Sequence, residues 1–201
     1  MATISIRVAV AVAACVAAIG CGCHPGTLAS HPVELHPQET QMWCGAAAGQ
    51  MVMDYLGHDV SQCKQANDRF ESTDCACSQC GATTPVNPAC IKGWFPEFKR
   101  YGFDSKRKYD EALEWDEVTS ELSKNCGNTP FVFSWHWLGG SGHVMVATGY
   151  NTVDGVNKIE ILNPWTPCDG DAEIITYDEY VERPGDHTHW DDIYAIEYTG
   201  T

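Results

Sequence analysis

Pro130 divides this chain into two stretches that cannot share one kind of secondary structure. Beyond it the apolar residues come in short runs rich in β-branched and aromatic side chains, the signature of strands. Phe131 to Trp135, Val144 to Tyr150, Lys158 to Leu162, Glu173 to Tyr177 and Asp192 to Tyr198 are the five runs. Asp154-Gly155 between the second and third is a tight hairpin signal. Before Pro130 the pattern is helical. Cys44 to Leu56 carries Ala46, Ala47, Ala48, Met51 and Met53 and stops at Gly57, so a helix is expected there. A short second helix is expected from Ser61 to Phe70, and further helical segments over Lys92–Tyr101 and Asp110–Lys124. Helices first and an antiparallel sheet second is an α+β layout with a helical lobe and a sheet lobe.

The amino terminus sets the compartment. Val8 to Ile19 is uncharged and apolar, too short for the ~20 residues that span a bilayer, but suited to the core of a secretory signal. It runs into Ala18-Ile19-Gly20-Cys21, which resembles a bacterial lipobox with Ala18 where Leu is usual. Residues 1–21 are therefore expected to be a lipoprotein-type signal and Cys21 a lipid anchor to the membrane. Val12-Ala13-Ala14-Cys15 is a rival lipobox with a shorter apolar lead, and an ordinary cleaved signal is the alternative to both. Residues 22–37, rich in His, Pro and Gly, are expected to form a linker, and residues 38–201 the folded domain.

That address changes how the 11 cysteines are read. Setting aside Cys15, Cys21 and Cys44 leaves an even number, which in an oxidising compartment suggests disulfides. Cys75, Cys77, Cys80 and Cys90 crowd into a stretch with Gly81, Pro85 and Pro88, an irregular stapled loop. Cys77-Ser78-Gln79-Cys80 also has zinc-ligand spacing, so zinc and redox thiols stand as alternatives to disulfides. The pairing is open at this level. A net charge of -15, from 12 basic and 27 acidic residues, would repel a phosphate backbone, so nucleic acid is not an expected partner.

Cys44 differs from the other cysteines because it opens a helix. Unpaired N–H groups and the positive dipole end favour a thiolate there, the form that attacks a carbonyl. Such a nucleophile needs a base and a group that orients the base. His143 stands in Gly142-His143-Val144-Met145-Val146, at the mouth of an expected strand. Asn163 ends the next strand, and the hairpin turning at Asp154-Gly155 would lay it beside His143. His136, in Trp135-His136-Trp137, is the rival base. Singly, a helical Cys is usually a core or disulfide residue and a His before a strand merely polar; the case lies in their conjunction.

Gln38 and Trp43-Cys44-Gly45-Ala46-Ala47, followed by Gly142-His143-Val144 and Asn163-Pro164-Trp165, resemble the active-site elements of papain-like cysteine peptidases. The likeness lies between the bacteriocin-leader peptidases of double-glycine export systems and the effector proteases of plant-pathogenic bacteria. It implies a papain-like α+β fold whose central helix starts at the nucleophile. It also implies Cys44 as nucleophile, His143 as general base and then acid, Asn163 as the residue orienting it, and Gln38 as donor to the oxyanion. Gln41 is a nearer rival for the last role and otherwise a solvated loop residue. Gly45 stands where the effector branch has Trp, and Asn163 where the leader peptidases have Asp, so neither branch's substrates are carried over. No cofactor or metal is expected, and the partner is a protein or peptide substrate. Amidases of the cell wall (the CHAP type), a binding module with an unused Cys44, and a disulfide-rich structural lipoprotein are the competing readings.

Overall fold

A computed structural model describes residues 28–73, 75, 80, 87–123 and 129–200. The apolar amino-terminal run, both candidate lipoboxes with Cys15 and Cys21, and Cys23, Cys77 and Cys126 lie outside the described residues. Four helices are present among the described residues: α1 (Cys44–Tyr55), α2 (Gln62–Phe70), α3 (Trp115–Glu121) and α4 (Tyr177–Val181). Eight strands form one antiparallel sheet: β1 (Leu28–Ser30), β2 (Phe103–Tyr109), β3 (Phe131–Trp137), β4 (Gly142–Val153), β5 (Val156–Asn163), β6 (Asp171–Thr176), β7 (Glu182–Arg183) and β8 (His187–Tyr198). Their order is β2-β8-β3-β4-β5-β6, with β1 beside β4 and β7 beside β8. The fold is α+β as expected, although β1 and β2 lie before Pro130 and α4 after it.

Alternation along the strands buries both faces of the sheet. Phe131, Phe133, Met145, Ala147, Ile159 and Ile161 join one core with Val118 and Leu122 at α3 and Tyr180 of α4. Val132, Val144, Val146 and Leu162 point the other way, into a core with Ala48, Met51 and Val52 of α1. A bulge between Ala147 and Gly149 shifts the phase, which returns Tyr150 to the first face. Fully burying side chains of this size stabilises by roughly 1.5–3 kcal/mol each, so α1 is anchored by its sheet face. Its opposite face, through Ala46, meets Trp43, Ala66, Trp94 and the Cys75 and Cys90 sulfurs. A helix enclosed on both sides explains why small and apolar residues fill nearly its whole circumference.

Several segments differ from the sequence expectation. Lys92–Tyr101 holds no α-helix, only a 3-10 turn at Phe98–Tyr101. Pro96 removes an N–H and pushes Phe95 away from helical geometry. The Asp110–Lys124 helix is only Trp115–Glu121, started by a capping box between Glu114 and Glu117. Polar β2 gave no apolar alternation to detect; it is a sheet edge, paired only with β8. Residues 28–37, expected as the end of a linker, lie against the domain instead. β1 pairs with β4 from Leu28 opposite Asn151, His31 is buried, and Val33 and Leu35 pack against the α1 core.

Cys75 is bonded to Cys90 and Cys80 to Cys168, and Cys63 is also in a disulfide. Among the cysteines of the described residues, Cys44 is the free one. The zinc alternative for Cys80 and Cys90 is thereby displaced, because their sulfurs are already covalently occupied. No helix of the described residues is long and apolar enough to cross a membrane.

Candidate active site

Cys44 is the first residue of α1, where the N–H groups of the opening turn have no intrahelical acceptor. It is 7% exposed and faces the end of β4. The backbone N–H groups of Val144, Gly45 and Cys44 itself favour its thiolate, but burial acts more strongly and pushes the thiol above its ordinary value. A buried sulfur with local donors is a latent nucleophile that needs a base at the moment of attack.

His143, 8% exposed, places an imidazole at the mouth of β4. Its Nε2 lies 2.7 Å from Asn163 Oδ1. The amide of Asn163 is oriented by its other end, since Nδ2 donates to Glu173 Oε1 at 2.7 Å and an ionised carboxylate only accepts. Oδ1 therefore faces the imidazole, Nε2 must carry the proton, and Nδ1 of the neutral ring is left as the acceptor. The Trp165 backbone N–H donates to the same Oδ1 at 3.1 Å. Burial lowers the pKa of His143; the Asn163 hydrogen bond and the Glu173 charge oppose that without reversing it. Both shifts favour the neutral form of the group concerned.

The pairing of β4 with β5 ends at Val146 opposite Leu162, and His143 and Asn163 meet just beyond that last rung. Trp137 stacks over the imidazole with ring centres 6.4 Å apart, while Trp165 approaches it edge-on at 6.5 Å. Two residues before each reacting group the backbone turns left-handed at a non-glycine residue, Met42 (φ 71°) and Ser141 (φ 69°). Such conformations cost about 1–3 kcal/mol each and are retained where the surroundings enforce them.

One cleft of about 500 Å³ is lined by Gln38, Cys44, His143 and Asn163 together with Trp135, Trp137 and Trp165. A second of about 540 Å³ lies on the other flank of Cys44, walled by Trp94, Phe95, Val144 and Trp190. Both share Met42, Gly93, Ser141 and Gly142, so Cys44 sits midway along a continuous trough. Gly45 is required where it is: a Cβ there would fall 1.8 Å from the Trp94 carbonyl oxygen.

Gln38 is 1% exposed, and its position is fixed by backbone bonds. Its N–H donates to Pro164 O at 3.0 Å, and its carbonyl accepts from Cys168 N–H at 2.9 Å. The side-chain Nε2 donates to Thr40 O at 2.9 Å, leaving its second hydrogen for the cleft, while Oε1 is buried without a partner. The rivals lie elsewhere: Gln41 is exposed, and exposed His136 pairs with Gly142 and packs near Trp190 without lining either cleft. Glu173, the Val144 N–H and the tryptophan walls escaped sequence reasoning. Glu173 was within an expected strand, but only its register beside β5 reveals what it touches.

Nothing in the described residues gathers three or more metal-ligating side chains. The arrangement offers a thiol, a base of fixed tautomer, an orienting amide and N–H donors around one trough. No curated protein matches the chain. The family model that does match, over residues 31–189, spans the arm at His31, α1 and the whole of β3 to β6. The chain belongs to the Peptidase_C39 like family.

Proposed function

We propose that this protein is a cysteine peptidase that hydrolyses peptide bonds through Cys44, His143, Asn163 and Gln38. The observation that supports this most is a free thiol at a helix start, sharing a cleft with an imidazole whose tautomer is fixed by Asn163. As a peptide carbonyl enters the trough, His143 Nδ1 takes the thiol proton and Sγ forms a bond to the carbonyl carbon. The oxyanion receives the Cys44 N–H and Gln38 Nε2–H. Collapse breaks the C–N bond, and the imidazolium passes its proton to the departing amine, leaving a thioester on Cys44. Water, deprotonated by the same imidazole, then cleaves the thioester to a carboxylic acid and restores the thiol.

The same reading gives residues 1–21 the role of a lipoprotein-type signal, with Cys21 as the lipid anchor, and places the enzyme outside the cytoplasm. The disulfides of the described residues fit an oxidising compartment. The folded domain then includes Leu28–Ser30, since β1 belongs to the sheet. Mass analysis of the mature amino terminus tests the anchor: acylated Cys21 is expected, and a start beyond Cys21 would exclude it.

The decisive experiment treats the purified protein with an epoxide of the E-64 type and maps the labelled peptide. Labelling at Cys44 alone, lost in His143→Ala, together with turnover of a peptide library, is the expected result. An unlabelled Cys44 in a folded protein would reduce the family resemblance to a catalytically silent binding module.

A further inference from the structure

The side chains of His143, Asn163 and Glu173 form a row across three adjacent strands, β4, β5 and β6. The register explains how. Asn163 lies opposite Asp171, and Glu173 opposite Ile161, so Asn163 and Glu173 are diagonal neighbours on one face of the sheet. Each link is 2.7 Å. Among the described residues, Glu173 Oε1 is the acceptor that meets Asn163 Nδ2.

We infer that Glu173 is a positioning residue of the site, whose carboxylate both fixes the Asn163 amide and lends the imidazolium a negative charge. The inference rests on the proposed function for its catalytic meaning, though not for its geometry. An asparagine amide has two nearly isosteric ends. If it turned over, Nδ2–H would meet His143 Nε2, and Nε2 would have to be unprotonated to accept it. The ring proton would then sit on Nδ1, the nitrogen that the proposed mechanism needs as acceptor, and none would remain for the thiol proton. Glu173 rejects that orientation because a carboxylate cannot donate to Oδ1. It also carries the charge that neutral Asn163 lacks, one residue further from the ring. That charge acts on His143 in the direction of the protonated form, which is the form created during attack.

Two functions, orientation and charge, separate by substitution. In Glu173→Gln the side-chain oxygen can still accept from Asn163 while the Trp165 N–H donates to Oδ1, so orientation is kept and charge lost. In Glu173→Ala the charge goes and the amide is left to the Trp165 N–H, so its orientation loosens. Asn163→Asp alone sets two carboxylates against each other, whereas Asn163→Asp with Glu173→Gln restores a single charge, now directly on the ring.

The experiment uses the full chain and records two quantities on the same samples. The first is the 15N spectrum of the His143 imidazole, assigned by its loss in His143→Gln and followed through a pH titration. The second is the pH profile of kcat/KM on a peptide substrate. The native protein is expected to show the Nε2–H tautomer. Glu173→Gln should keep that tautomer, lower the imidazole pKa and move the acid limb of activity to lower pH. Glu173→Ala should mix the tautomers and lose roughly 10- to 100-fold in kcat/KM, short of the about 10⁴ of a triad locked in the wrong tautomer. The double variant should regain most of what Asn163→Asp loses. An unchanged tautomer and imidazole pKa in both Glu173 variants would overturn the inference, whatever the activity. A native protein inert to peptides and probe, but with a tautomer that responds to Glu173, would overturn the peptidase reading and leave this one standing.

Discussion

The two walls of the trough are built by different means. The sheet wall places His143, Asn163 and Glu173 by strand register: the first two meet just beyond the last rung of β4 with β5, and the last two lie within the β5–β6 ladder. The opposite wall places Cys44 by helix packing and then by covalent staples. Cys75–Cys90 lies in the cluster that holds Trp43 and Trp94 against α1, and Trp43 Nε1 donates to Cys90 O at 2.8 Å. Gln38 belongs to neither wall alone. Its backbone is clamped by Pro164 and Cys168, and Cys168 is tied to Cys80 of the cysteine-rich stretch. A ladder fixes many contacts at once, so His143 is held collectively. A stapled wall depends on a few bonds, so Cys44 and Gln38 can be perturbed singly.

The largest expected effects test whether the walls act as one unit. Cys44→Ala and His143→Ala should each lower kcat by about 10⁴ or more, and the double variant should be little worse than either, because neither group works without the other. Additive losses would mean that the two residues serve separate steps. Next comes Gln38→Ala, which removes one donor to the oxyanion and should cost about 2.7–4 kcal/mol of transition-state stabilisation. The change also deletes the Nε2 bond to Thr40 O, so the oxyanion role requires that the loss fall on kcat with the fold intact. A KM effect alone would recast Gln38 as a loop anchor.

A smaller effect is expected from severing the staple. Cys80→Ser with Cys168→Ser opens a link between residues 88 apart, and about 2–4 kcal/mol of unfolding free energy should be lost in chemical denaturation. Activity should fall only a few-fold, since the Cys168 N–H can still reach the Gln38 carbonyl. A loss as large as that of Gln38→Ala would show that the disulfide, rather than the Pro164 and Cys168 backbone, holds the oxyanion donor in place.

The subtlest test is of pH. Burial holds His143 below its ordinary value, so the imidazole stays neutral and basic into more acid solution than a free one, and the acid limb of kcat/KM should lie below about 6.5. Burial holds Cys44 above its ordinary value, so inactivation by iodoacetamide should keep climbing into the alkaline range. An alkylation plateau at acid pH would show a preformed thiolate–imidazolium pair, and with it a stronger influence of the helix start than burial allows.

The sheet lobe was legible because its signals are local. Alternating apolar runs after Pro130 and the Asp154-Gly155 turn, with both residues left-handed at φ 52° and 77°, carry strand and hairpin identity within a few residues. The helical side was legible at α1, where helix formers run up to the stop at Gly57, and at α2, and failed at Lys92–Tyr101. There Pro96 and the contact of the Trp94 carbonyl with Gly45 outweigh helix propensity. β2 and the arm at Leu28–Leu35 escaped because polar edge strands and Pro-bearing segments have no pattern of their own until a sheet accepts them.

By itself, then, the sequence determined the α+β division, the helix that Cys44 opens and the hairpin carrying His143 and Asn163, because each depends on neighbours within a few residues or one turn. Tertiary structure alone decided that Cys80 bonds Cys168 and that β1 belongs to the sheet. It alone brought Gln38 to the cleft wall beside Cys44, and Glu173 behind Asn163. Those contacts join positions that no short-range preference couples. Only the packing of α1 onto β4, and the register of β6 against β5, brings them within bonding distance.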